Sequence, residues 1–174
     1  MDMKIIPLTN RGRALVLVDG ANLRGHLQSA AYPRIDGYAF AAWCQQFGRP
    51  TITWFQGAYP GTAGFFAHLR AAGIEVVTKA VKHLPGGARK ADMDMEIGSA
   101  ALRRAHHFST VVLVTADGDF ACIVRDLRAM GVDVVVVAPE GTTAHELIRA
   151  AGAENVLDLH AELPAFGYDP RAAA

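Results

Sequence analysis

Residues 14–19 read ALVLVD and residues 111–117 read VVLVTAD, and these two stretches decide the fold. Each begins with a run of apolar residues without polar alternation, and an aspartate follows the run within three residues. A strand with one face in water alternates apolar and polar side chains, whereas a strand buried on both faces does not. The two runs therefore predict central strands of a parallel sheet that helices cover on both faces.

Strand-like and helix-like patterns alternate along the rest of the chain. Further strands are predicted at residues 51–55, 74–77, 132–137 and, more briefly, 155–158. Helical spacing of apolar residues lies between them. Four helices are predicted from this spacing. One begins after Asp36 as N-cap, two begin near Phe65 and near Phe120, and the fourth begins at a capping box formed by Thr143 and Glu146. This order predicts a doubly wound α/β domain, a Rossmann-like three-layer sandwich with five to six mainly parallel strands.

Length and composition indicate one globular domain. The chain has 174 residues, of which 51% are hydrophobic and 20% charged, so global disorder is excluded. We predict an N-terminal extension over residues 1–12, the domain over 13–160 and a C-terminal tail over 161–174, frayed beyond about Pro164. Seventeen basic and seventeen acidic residues balance, so any surface for nucleic acid must be local.

Other features exclude whole classes of protein. The N-terminus lacks the apolar stretch of a signal peptide, and no apolar run approaches the roughly 20 residues that span a bilayer. The lack of a spanning run predicts no membrane partner. Cys44 and Cys122 form no metal or disulfide pattern, which favours a reducing cytoplasm. The chain has no GxxxxGK[ST], no GxGxxG after a strand and no GxSxG, so classical nucleotide-binding and serine-hydrolase sites are not predicted.

Aspartates follow the two central strands. Asp19 ends the first, and Asp117 and Asp119 follow the other. Ligands of open parallel sheets bind outside the carboxyl ends of the strands, so we expect these three side chains at one edge. Taken singly, Asp117 or Asp119 could instead cap a helix, and Asp19 could be a turn residue.

A further carboxylate comes from residues 90–98, KADMDMEIG. If this segment is helical, Asp94 lies on the buried face, whereas Asp92 lies on the solvent side and is predicted to be a cap. A buried carboxylate needs a partner, which is either a divalent cation or a nearby Lys or Arg. A cluster of oxygen ligands suits Mg²⁺ or Mn²⁺ and disfavours zinc.

A basic segment leads into this helix. Residues 79–90 read KAVKHLPGGARK and contain no acid. The basic side chains are Lys79, Lys82, Arg89 and Lys90. A basic rim beside an acidic metal cluster fits phosphodiester hydrolysis, in which the rim holds backbone phosphates. The alternative is a solvated loop.

Three blocks of the sequence resemble a known family. Residues 17–23, LVDGANL, are similar to the opening φ-φ-D-G-x-N-φ signature of NYN domains, the PIN-like nucleases of the LabA type. Residues 114–120, VTADGDF, resemble the family's S-x-D-x-D-F block, with Thr115 in place of serine. Residues 94–97 resemble the middle block, although Ala100 stands where that block often has a second aspartate. The resemblance covers about residues 13–158 and implies a PIN-like fold.

The resemblance also implies roles for individual residues. Asn22 would orient Asp19 or a water molecule. The residues assigned to catalysis are Asp19, Asn22, Asp94, Asp117 and Asp119, and the four aspartates are also assigned to the metal. The residues assigned to the substrate are Lys79, Lys82, Arg89, Lys90 and Thr115. Asp92 stays a second candidate beside Asp94.

Together these features predict a Mg²⁺- or Mn²⁺-dependent endoribonuclease that acts on single-stranded or structured RNA, with a homodimer as one option. The alternative is a non-catalytic RNA-binding or regulatory PIN-like module. A phosphatase with Asp19 as nucleophile is disfavoured, because position 21 is alanine where haloacid dehalogenases usually have a second aspartate.

Overall fold

A computed structural model describes residues 12–29, 32–83, 89–90 and 92–168, with backbone alone for 28–29, 82–83 and 89–90. Its strands are β1 (Arg13–Asp19), β2 (Arg34–Ile35), β3 (Arg49–Ala58), β4 (Glu75–Ala80), β5 (Lys82–His83), β6 (Arg89–Lys90), β7 (Thr110–Val114), β8 (Asp133–Ala138), β9 (Val156–Asp158) and β10 (Gly167–Tyr168). Its α-helices are α1 (Gly20–Ser29), α2 (Gly37–Cys44), α3 (Ala63–Ala71), α4 (Asp94–Arg104), α5 (Ala121–Ala129), α6 (His145–Ala151) and α7 (Leu159–Phe166).

Six strands form one parallel sheet in the order β4-β3-β1-β7-β8-β9. The chain starts in the centre with β1, builds one half through β3 and β4, and then crosses to β7 to build the other half. This is the doubly wound order, in which the direction of winding reverses between β1 and β7. The predicted α/β class and parallel sheet are confirmed, and each of the six predicted apolar runs overlaps a strand.

Both faces of the sheet are buried. Along β1, Leu15 and Leu17 join a core with α4, α5 and α6, whereas Val16 and Val18 join a second core with α1, α2, α3 and α7. Alternate residues of a strand point to opposite faces, so an all-apolar strand satisfies both cores at once. Each of these side chains is at most 1% exposed, which contributes roughly 1.5–3 kcal/mol per residue relative to exposure.

The predicted helix starts have different outcomes. Asp36 is confirmed as the N-cap of α2, because its Oδ1 accepts a hydrogen bond from the Ala39 N–H at 2.9 Å. The capping box of Thr143 and Glu146 is wrong. Ala144 occupies the N-cap position of α6, and the Thr143 hydroxyl donates instead to the Pro139 carbonyl at 2.6 Å.

The C-terminal part of the described chain is packed rather than frayed. Pro164 lies inside α7, and Phe166 at the end of that helix is only 1% exposed. Gly167–Tyr168 then pairs antiparallel with Arg34–Ile35. Fraying directly after Pro164 is therefore wrong, while the division at residue 160 stays a prediction. Among the described residues, no helix is both long and apolar enough to cross a bilayer.

Candidate functional site

The candidate site lies where the winding of the sheet reverses. Val18 of β1 is the parallel partner of Val114 in β7, so Asp19 and Thr115 are the next residues at the carboxyl ends of two adjacent strands. Asp117 and Asp119 follow β7 within five residues, in a 3₁₀ turn over Gly118–Phe120. The topology thus brings the three predicted aspartates to one edge of the sheet.

Asp19 is buried and held by backbone groups. Its side chain is 8% exposed, and Oδ1 accepts hydrogen bonds from the N–H groups of Ala21 (3.1 Å) and Asn22 (3.0 Å) at the start of α1. Burial raises the pKa of Asp19, and the charge of Asp117 raises it further, whereas the hydrogen bonds lower it. Asp19, for which a turn residue was the alternative, therefore accepts hydrogen bonds from the first turn of α1 and lies close enough to Asp117 to be affected by its charge.

Three carboxylates form the closest group. Asp94, Asp117 and Asp119 each place one oxygen within 4.8 Å of the others, and Asp19 lies outside this group of three. Asp117 Oδ1 also accepts from the Asp119 N–H at 3.0 Å, so Asp117 caps the 3₁₀ turn. The group combines residues from α4 and from the segment after β7.

The pKa of Asp94 is strongly raised. Burial is the largest cause, followed by a hydrogen bond and charge repulsion from Asp92, then by the charges of Asp19 and Asp117. Together they raise the pKa of Asp94 to about 7. Neighbouring carboxyl groups without a counterion do not all ionise readily, because their negative charges repel one another. The metal-free site therefore retains a proton near neutral pH.

Asn22 and Thr115 build the wall of the site. Asn22 Oδ1 accepts from the Ala116 N–H at 3.1 Å, which ties α1 to the segment after β7. Thr115 is 3% exposed, and its Oγ1 accepts from the Asp117 N–H at 3.3 Å. The structure thus places Thr115 inside the wall, where it orients Asp117, rather than on an exposed surface.

The start of α4 is fixed by a second set of polar contacts. Asp92 Oδ1 accepts from the Asp94 N–H at 3.2 Å, which agrees with the predicted capping role. Lys79 Nζ donates to Glu96 Oε1 at 2.7 Å and to the Asp92 carbonyl at 3.2 Å. Lys79 therefore anchors α4 to the edge strand β4. The side chains of the other predicted basic residues, Lys82, Arg89 and Lys90, lie outside the described residues.

Glu96 is a site neighbour that the sequence did not indicate. Its side chain is 35% exposed, but its Oε2 is buried without a hydrogen-bond partner among the described residues. The hydrogen bond from Lys79 lowers the pKa of Glu96. The only available signal was the opposite charge of Lys79, and the packing of α4 against β4 was needed to pair the two.

The donor set fits a hard divalent cation. The close group offers carboxylate oxygens alone, which Mg²⁺ and Mn²⁺ prefer, and contains no thiolate or imidazole. A cation there would also offset the mutual repulsion that raises the pKa of Asp94. The same arrangement of carboxylates could polarise a phosphodiester through the bound ion.

Known proteins resemble this chain in sequence and in structure. Residues 13–157 match the family described as the NYN domain. The fold is similar to the crystal structure of a protein of unknown function from Vibrio parahaemolyticus, with a TM-score of 0.74 and 25% identity over 91% of this chain and 96% of that chain. No curated protein matches the sequence. Because the matched segment covers most of the chain and carries the aspartates of the site, the chain belongs to the NYN domain family of PIN-like nucleases.

Proposed function

We propose that this protein is a metal-dependent endoribonuclease that hydrolyses phosphodiester bonds at the acidic site. The observation that carries the proposal is the group of Asp94, Asp117 and Asp119, with oxygens within 4.8 Å of one another at the switch point of the sheet. Membership of the NYN family supports nuclease chemistry, and the two well-separated cysteines fit a reducing cytoplasm.

We assign Asp94, Asp117 and Asp119 to a Mg²⁺ or Mn²⁺ ion, with Asp19 facing them from β1. When bound, the ion supplies positive charge that offsets the developing charge on the phosphate and favours ionisation of an attacking water. The chain itself positions the carboxylates. The Ala21 and Asn22 N–H groups fix Asp19, and Thr115 fixes the backbone of Asp117.

The test is cleavage of a 5′-labelled single-stranded RNA with Mg²⁺, Mn²⁺ or EDTA, alongside thermal melts under the same conditions. We expect internal cleavage with metal and none with EDTA, and a melting temperature that rises with Mn²⁺ concentration because the ion binds the folded state alone. Asp133→Asn is the matched control, since Asp133 is an exposed aspartate at the opposite end of β8. It should cleave like the wild type.

The alternative, a non-catalytic RNA-binding module, predicts RNA binding without cleavage under any of these conditions. A wild-type protein that neither cleaves RNA nor shows a melt shifted by Mn²⁺ would contradict the nuclease proposal.

A further inference from the structure

A cavity of about 270 Å³ opens on the other side of β1 from the acidic group. Two residues of the acidic group follow β7 and the third begins α4, whereas the cavity is formed by α1, β3, α3 and the segments before α2 and after β3. Its wall includes Arg24, Arg34, Trp54, Gln56, Thr62 and Phe65. Its volume lies near the lower end of the range for small-ligand sites, which suits one compact planar group rather than a large ligand.

Gly20 contacts two residues of the cavity wall. A Cβ at Gly20 would lie 2.3 Å from Trp54 Nε1 and 2.7 Å from Gln56 Oε1, so these two side chains press against the backbone of Gly20. Gly20 directly follows Asp19. A chain that occupied the acidic site could therefore place a neighbouring group in the cavity.

Gln56 presents a hydrogen-bond donor to the cavity. The indole N–H of Trp54 can only donate, and it donates to Gln56 Oε1 at 2.8 Å, which fixes the orientation of the amide. Among the described residues, nothing accepts from the amide NH₂ group of Gln56, although this residue is only 3% exposed. The amide nitrogen is not itself a buried unpartnered atom, so it is reached from the cavity that Gln56 lines, where a ligand acceptor would take its hydrogen bond.

The rim of the cavity is positively charged. Arg24 and Arg34 are both exposed, and neither forms an ion pair within the described part of the chain. The guanidinium of Arg34 lies over the ring of Tyr168, 4.2 Å from its centroid, which holds that arginine at the rim. Within the part of the chain that the structure describes, no carboxylate lines this cavity.

The groove continues beyond the first cavity. A second cavity of about 320 Å³ shares Arg34, Ile35 and Phe65 with it and extends to Asp36, His68 and Tyr168. Phe65 is half-buried and stands between the two, packed edge-on against Trp54 with ring centroids 5.5 Å apart. Proteins that bind single-stranded nucleic acids combine an aromatic wall with flanking arginines, because bases pack on aromatic rings while phosphates pair with cations.

We propose that this cavity binds one nucleotide of a single-stranded RNA, next to the phosphodiester held at the acidic site. The base lies against Phe65 and accepts a hydrogen bond from Gln56, and Arg24 and Arg34 pair with the adjacent phosphates. The inference rests on the proposed nuclease function for its substrate, but it concerns binding, which is measured without cleavage.

The experiment measures binding of a fluorescein-labelled single-stranded RNA of mixed sequence in EDTA, over a series of salt concentrations. Replacing Arg24 and Arg34 together by alanine should weaken binding and flatten its salt dependence, by a slope of about 1.4 for two phosphate contacts on a single strand. Arg70→Ala is the matched control, because Arg70 is an exposed arginine of α3 outside both cavities. It should leave the slope unchanged.

A second variant tests the base contact. Phe65→Ala should raise Kd by about 5- to 150-fold, the range for loss of one base–aromatic contact, without changing the salt slope. Phe65→Leu keeps apolar packing against Trp54 but removes the aromatic ring, so it should also raise Kd. This variant keeps the test informative where Phe65→Ala fails to fold. Thermal melts of each variant establish that the protein compared is folded.

The outcomes separate this inference from the proposed function. If the arginine and Phe65 variants bind RNA with wild-type Kd and slope, the nucleotide site is wrong, and metal-dependent cleavage by the wild type would still support the nuclease. If the variants lose affinity as expected while the wild type never cleaves, the nucleotide site is supported and the nuclease proposal fails.

Discussion

The side-chain oxygen of Asn22 accepts a hydrogen bond from the backbone N–H of Ala116 at 3.1 Å, joining two residues that are 94 positions apart in the sequence. Asn22 lies at the start of α1, and Ala116 lies in the segment between β7 and Asp117. This single bond therefore fixes the segment that carries Asp117 against the segment that carries Asp19.

Asn22→Ala should lower both stability and cleavage. The Ala116 N–H, in a residue 7% exposed, would lose its acceptor, at a cost of about 1–3 kcal/mol in the free energy of unfolding. Cleavage should fall even well below the melting temperature, because Asp117 loses its anchor. Asn155→Ala is the control. It removes a hydrogen bond to the Ala151 carbonyl away from the site and should leave cleavage unchanged. Equal effects of both variants on cleavage would contradict a positioning role for Asn22.

Asp117→Asn and Asp117→Ala should differ in stability but not in cleavage. Asparagine keeps an oxygen for the Asp119 N–H and removes one charge from a repulsive group, so the metal-free protein should be as stable as the wild type or more stable. Alanine also loses the cap, at about 0.5–2 kcal/mol. Both variants should lose metal-dependent cleavage. Thermal melts in EDTA and parallel RNA cleavage assays check this. Metal-dependent cleavage by the Asp117→Asn protein would show that Asp117 is not a metal ligand.

Asp94 should make the metal-free protein less stable as the pH rises from about 4 to about 7. Its pKa is raised from 3.8 to about 7 in the fold, so over that interval the folded state holds a proton that the unfolded state has released. Folding is then favoured at the acidic end, and this contribution is lost by neutral pH. Urea unfolding in EDTA at several pH values, with wild type and Asp94→Asn, measures the difference.

Asp94→Asn should flatten that decline, since asparagine does not titrate. Saturating Mn²⁺ should also oppose it in the wild type, because the cation favours the ionised carboxylates. A pH profile identical in the wild type and the variant would show that Asp94 ionises normally in the fold.

Gly20→Ala should destabilise the protein, whereas Gly25→Ala in the same helix should not. A Cβ at position 20 would overlap Trp54 Nε1 at 2.3 Å, and such overpacking costs about 1–3 kcal/mol. A Cβ at Gly25 meets nothing within 4 Å, and alanine is favoured over glycine in helices by about 1 kcal/mol. Chemical denaturation of both variants measures the contrast. A neutral Gly20→Ala would mean that Trp54 and Gln56 move aside easily.

The central strands were predictable because their chemistry is local. A run such as residues 14–18 has no polar residue to expose, so burial on both faces is the consistent solution. The short pairing of Gly167–Tyr168 with Arg34–Ile35 has no such signal, since two-residue strands carry no periodicity. It depends on where α7 ends.

Two helices show the limit of periodicity. Among the described side chains of α1, only Leu23 and Leu27 face the core, so the apolar pattern is too sparse to indicate a helix. In α7 the core residues Leu159, Leu163 and Phe166 do have helical spacing. Pro164 nevertheless predicted that the packed chain ends near it, whereas the helix continues to Phe166.

The edge of the sheet that holds the site was predictable, but the grouping within it was not. The sequence placed Asp19, Asp117 and Asp119 together through the rule for parallel strands. The position of Asp94 depends on how α4 crosses the sheet, with Met93 and Ile97 buried in the core. Asp19 lies outside the closest group, with one of its oxygens engaged by the backbone of α1.

Among the described strands β1 comes earliest in the sequence and yet occupies the centre of the sheet, so it must wait for β7 before both of its edges are paired. Ser109 and Arg13, which meet at the start of these strands, are separated by 96 positions. Pairing over such distances is slow, since the loop entropy is lost before the contacts form. The acidic group takes Asp94 from within that interval and Asp117 and Asp119 from beyond it. A nascent chain that has not yet been extended to Asp119 therefore lacks the complete acidic group.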